Sequence, residues 1–148
     1  MLVRGAIYHH IKFRFHDGVT GEKLLILLNT PSKSEPFIFV KTTSQQKNKP
    51  ALPGCIHKRD VFYIPQGGSF FKDNTWVQLY DLYPLTPDEI KKPEMIYKDQ
   101  LSEDLIDEIV NCLFKCQEDD LSPIIKKMLR PQINESILKL QEKFNRKR

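Results

Sequence analysis

The stretch FIFVKTTSQQKNK, Phe37 to Lys49, opens with four residues suited to a buried strand and ends wholly polar. Aromatic and β-branched side chains fit a covered, pleated surface, whereas hydroxyls and ammonium groups need water or an anion. The stretch is therefore either a strand leaving the core or hydroxyls and positive charge gathered at a site. Its neighbours narrow that choice. Runs rich in β-branched and aromatic residues recur at 6–15, 23–28, 37–43, 60–64 and 75–81, and breakers separate them: Asp17-Gly18, Pro31 to Pro36, Pro50 to Gly54 and Pro65 to Gly68. Five short strands at this spacing predict a small antiparallel β-barrel.

The pattern changes after residue 85. Thr86-Pro87-Asp88-Glu89 has a capping threonine, a proline at the first helical position and a glutamate three residues after the threonine, which predicts a short helix or turn. Leu101, Leu105, Ile109 and Leu113 recur every four residues, with acidic residues on the other face. That spacing predicts an amphipathic helix over 101–116, capped by Ser102. Ser122-Pro123 repeats the signal for a helix to Leu129, and a last helix is expected over 132–144. The fold class expected is mainly β with C-terminal α: a barrel over 1–97 and a helical extension over 98–148. The helices' apolar faces would cover the barrel or a partner.

A chain of 148 residues, 40% hydrophobic and 28% charged, suits one globular domain with a helical annex. Its longest apolar run is Leu24 to Leu28, too short to span a membrane. The first residues lack the apolar core of a signal peptide, so a soluble intracellular protein is expected. Net charge is +4, and all of the excess lies in residues 1–97, with 13 Lys/Arg against 9 Asp/Glu. This permits a polyanionic partner without requiring one. Three cysteines make no even disulfide framework. Cys112 and Cys116 read as small apolar residues sharing a helix face rather than zinc ligands. Cys55, in a turn, is a candidate thiol with no partner evident in the sequence.

The order of features resembles the PemK/MazF group of toxins from toxin–antitoxin pairs. Gly5-Ala6-Ile7-Tyr8 opens a strand, Gly21-Glu22-Lys23 leads into the apolar strand Leu24 to Leu28, and a later strand ends in Lys41-Thr42-Thr43-Ser44-Gln45. The resemblance covers about residues 4–90. It implies an SH3-like barrel, a homodimer, an antitoxin protein as partner, a cytoplasmic location, no cofactor, and metal-independent cleavage of single-stranded RNA. The family's catalytic arginine falls on Lys23, followed by Leu24 where the family usually has proline. Its catalytic threonine or serine falls on Thr42, with Thr43 adjacent.

RNA cleavage without a metal needs a base for the 2′-hydroxyl, an acid for the leaving oxygen and positive charge at the phosphate. Lys23 supplies charge as a point ammonium, without a guanidinium's two-pronged grip. Thr42 can hydrogen-bond a phosphoryl oxygen, but threonine is a poor base, so another group must move the proton. Histidine is the natural candidate. Strand alternation sets Tyr8, His10, Lys12, Arg14 and His16 on one face, a basic RNA-contacting or solvated surface, and His9 among apolar residues on the other. Lys41, Lys47, Lys49, Lys58 and Arg59 form a candidate phosphate patch. Phe70, Phe71, Trp76 and Tyr80 would stack on bases if exposed, although Trp76 reads as core. Besides a ribonuclease, two further readings stand. One is a non-catalytic SH3-like module binding protein or nucleic acid. The other is a regulator whose helices bind a partner.

Overall fold

Phe37–Thr43 is a strand, and it lies within the sheet rather than at its rim. The computed structural model describes residues 3–15, 17–44, 52–67 and 69–129. Seven strands form one sheet: β1 (Ala6–Arg14), β2 (Thr20–Leu27), β3 (Phe37–Thr43), β4 (Gly54–Ile56), β5 (Val61–Ile64), β6 (Thr75–Leu85) and β7 (Met95–Gln100). All pairings are antiparallel, in the order β4-β5-β6-β3-β2-β1-β7. The fold is mainly β, the class the sequence predicts, with one short helix between β6 and β7 and two helices after β7. The expected barrel is not closed, because β4 and β7 end the sheet without pairing to each other.

Side chains alternate across the sheet, so the core has two halves. Ile7, Ile26, Ile38, Val40 and Val77 pack on one face, and Ala6, Tyr8, Leu25, Leu27 and Phe39 on the other. The first face is covered by α2 (Glu103–Gln117), through Ile106, Ile109, Val110 and Leu113. The Ser102 hydroxyl caps α2 by accepting from the Leu105 N–H at 3.2 Å, a contact worth about 1 kcal/mol. The helix α3 (Pro123–Leu129) follows, with Leu129 in the same core. The second face is closed by Leu85, Met95 and Ile90, the last on α1 (Pro87–Ile90), whose Thr86–Glu89 capping box is fully formed. Leu101 and Ile109 are buried and Leu105 packs beside them, so the apolar stripe is cover for the sheet rather than an open docking face. The helix expected over 132–144 lies outside the described residues.

Three register shifts interrupt the sheet, one of them between Ile7 and Tyr8 where β1 pairs with β7. The β1–β2 register shifts between His10 and Phe13. That slip turns Phe13 to the same side as Tyr8 and His10, where the three belong to one aromatic group. The basic face expected on β1 is therefore interrupted: His10 is buried, while Lys12 and Arg14 are exposed. The β3–β6 register shifts between Val40 and Lys41, which lets β6 run for 11 residues and serve both halves of the core.

Cys55 does have a partner. It forms a disulfide with Cys112 across a sequence separation of 57, tying the edge strand β4 to α2. Closing a loop of that length removes unfolded-chain entropy worth about 4 kcal/mol.

The β2–β3 connection depends on one buried side chain. Asn29 is 1% exposed. Its Nδ2 donates to the Pro36 carbonyl at 3.0 Å, and its Oδ1 accepts from the Ile38 N–H at 2.9 Å. Removing it would leave buried backbone groups unpaired at the start of the central strand. Asn29→Ala should cost about 2–3 kcal/mol, seen in urea denaturation as a lower midpoint with an unchanged slope.

Candidate functional site

Lys23, Thr42 and Thr43 line one cleft of about 610 Å³, together with His9, Glu22, Leu24, Ser44, Phe70, Phe71 and Lys72. Sheet register builds it. His9 on β1 sits opposite Leu24 on β2, so Glu22 is its diagonal neighbour, within reach of a long side chain. His9 Nε2 lies 3.5 Å from Glu22 Oε2. The contact is an ion pair when the imidazole is protonated.

Thr42 and Lys23 join the end of β3 to β2. The Thr42 hydroxyl donates to the Leu24 carbonyl at 2.8 Å, and Lys23 Nζ donates to the Thr42 carbonyl at 2.9 Å. Thr42 is buried, and its single proton is committed to Leu24. It therefore positions the strand end, while Thr43 and Ser44 continue along the cleft wall. The Lys23 hydrogen bond is to a neutral carbonyl, so that contact leaves its charge uncompensated. Burial, and then the nearby Lys41 charge, lower the Lys23 pKa below the usual lysine value. Its ammonium also lies 5.8 Å from the Phe15 ring centre, a cation–π contact.

The remaining expected residues are scattered. Lys41 pairs with Asp81 at 2.6 Å, and its side chain is 11% exposed, so its charge is spent inside the fold. His10 packs edge-on against Phe13 and accepts from the Lys12 N–H through Nδ1 at 3.3 Å. Burial lowers its pKa most, Glu94 opposes this, and His9 and Lys92 add to the lowering. Lys12, Arg14 and Arg59 are exposed. Lys58 sits in the 3-10 turn His57–Arg59. Lys47, Lys49 and His16 lie outside the described residues. Of the aromatics, Trp76 and Phe71 are buried, Trp76 stacked on Tyr63, whereas Phe70 is half-buried at the cleft and Tyr80 is exposed.

His9 and Glu22 are the pair that sequence reasoning left out. The signal was their cross-strand register through the Gly21-Glu22-Lys23 step, which becomes readable only once β1 and β2 are paired. No protein-family model matches the chain, and no curated protein matches it at a significant level.

Two outcomes follow. The depressed His10 pKa means that the unfolded chain binds a proton that the folded chain resists. Folding stability should therefore fall as pH drops through the ordinary histidine range, and His10→Gln should flatten that fall; thermal melts across the range read it. Thr42→Val keeps the shape and loses the hydroxyl bond, and it should cost about 1 kcal/mol, with Thr42→Ser nearer wild type in the same melts.

Proposed function

We propose that the cleft binds the backbone of single-stranded RNA and cleaves it without a metal ion, as the PemK/MazF-like toxins do. The observation that carries this reading is the meeting of Lys23, Thr42 and Thr43 with the His9–Glu22 pair in one cleft. His9 supplies the proton chemistry that threonine lacks. With Glu22 beside Nε2, Nδ1 takes the proton of the 2′-hydroxyl as that oxygen attacks the adjacent phosphorus. The P–O bond to the 5′-oxygen breaks, a proton from the surrounding water goes to that oxygen, and a 2′,3′-cyclic phosphate remains. Lys23 neutralises the charge that builds on the phosphoryl oxygens. Thr42 holds Lys23 through its carbonyl, which fixes the ammonium in place. An antitoxin protein, a homodimer and a cytoplasmic setting belong to the same proposal.

A second reading has its own support. Thr42 gives its proton to Leu24 and Lys23 is bonded to a backbone carbonyl, an arrangement that serves equally to hold two strands together. On that reading the cleft binds nucleic acid or protein without reacting.

The test is cleavage of several single-stranded RNAs by purified protein in EDTA. His9→Ala should lower the rate about a hundredfold or more. Lys23→Ala should lower it at least as far, with folding intact by circular dichroism. No cleavage by folded wild type would reject the ribonuclease. RNA binding that weakens in Lys23→Ala would then support the binding module.

A further inference from the structure

Three sulfur atoms meet where β4 crosses α2. Cys112 is bonded to Cys55, and the Cys116 Sγ stands 3.9 Å from the Cys112 Sγ. All three sulfurs lie within 4.8 Å of one another. Their exposures differ in a useful way: Cys55 is exposed, Cys116 is half-buried, and Cys112 is 1% exposed. A solvent-borne thiol cannot reach Cys112, but Cys116 already touches it. Asp60 is beside the Cys116 thiol, and the attacking form of that group is the thiolate.

We propose that Cys116 is the exchange thiol of a transferable disulfide, and that transfer releases Cys55 as an exposed thiol on the sheet edge. The Cys116 thiol loses its proton to solvent base at mildly alkaline pH, and its sulfur attacks the Cys112 Sγ. The Cys112–Cys116 bond forms as the Cys55–Cys112 bond breaks. The electron pair leaves on the Cys55 sulfur, which takes a proton from water. One disulfide and one thiol are present before and after, so no oxidant or reductant is consumed. Cys112 and Cys116 are one helical turn apart, about 6 Å along the axis, within the Cα span that disulfides bridge.

The outcome is mechanical as well as chemical. Before transfer the bond ties β4 to α2; after it, the bond lies within α2 and the edge strand loses its covalent tether. The freed Cys55 borders a cavity of about 540 Å³ walled by Phe62, Ile64 and Leu105, with Lys115 at its side. There it would take a mixed disulfide from an oxidised low-molecular-weight thiol by a second exchange, expelling the small thiolate. Burial, then the Asp60 charge, raises the Cys116 pKa, so the resting form is the thiol beside an intact Cys55–Cys112 bond. A metal centre is the less supported use of these sulfurs. Cys55 and Cys112 are bonded to each other, so neither is free to ligate an ion as a thiolate.

The test is made on oxidised full-length protein. It is exposed to an alkylating agent at mildly alkaline pH, quenched with acid, and mapped by mass spectrometry without reduction. Wild type should yield alkylated Cys55 together with a Cys112–Cys116 disulfide. In Cys116→Ser, Cys55 alkylation should fall about tenfold. The wild-type map suffices by itself if that variant does not fold. Alkylation of Cys116 alone, with Cys55–Cys112 intact, would overturn the proposal. So would one equivalent of zinc held by the reduced protein with no transferred disulfide in the oxidised one, which would make the cluster a metal centre.

Discussion

The fold depends on β3 being covered everywhere at once. Ile38, Phe39 and Val40 are at most 1% exposed, although alternate residues face opposite sides of the sheet. Both faces must therefore be roofed, and both edges paired, by β2 and β6. Burying each of these side chains gains roughly 1.5–3 kcal/mol, and that gain is lost if either roof is absent. This is why α2 lies on one face while α1 and the bent end of β6 close the other. It is also why the strand turns polar at Lys41, where the second roof ends and the cleft begins.

At that boundary the same few atoms serve packing and chemistry. Thr42 and Lys23 exchange hydrogen bonds with the backbone between β3 and β2. Those bonds tether Lys23, which lines the same cleft as His9 and Glu22. A strand junction with satisfied polar groups is rigid, and a rigid ammonium is what phosphate stabilisation needs. The ribonuclease and binding readings share this geometry and differ in what His9 does.

Much of the fold was legible because its strands are apolar and its turns are marked. The pattern at Phe37–Thr43 gave the strand's bounds as observed, and the Thr86, Ser102 and Ser122 caps located the helix starts. What stayed hidden has physical reasons. β7 exposes every residue but Met95, so it carries no alternation to read, and β4 has only three residues. The bulge at His10/Phe13 broke the period-two rule and set Phe13 on the side of Tyr8 and His10, so a basic face was expected where an aromatic cluster lies. Lys41 reads as a surface charge until Asp81 is brought to it across the β3–β6 bulge. The Cys55–Cys112 bond joins residues 57 apart, and spacing alone cannot announce such a pair. Lys23 and Thr42 line one cleft, whereas Lys12, Arg14 and Arg59 do not.

The central claim is that the His9–Lys23 cleft receives a phosphodiester. The most direct test is a heteronuclear NMR titration with a short 2′-deoxy analogue of single-stranded RNA, which can bind but cannot be cleaved. The account predicts that the largest shifts fall on the His9 ring, the Lys23 ammonium and the Thr42–Thr43 amides, and that they are reduced by added salt. Shifts confined to other surfaces, or none at all with the protein folded, would contradict it.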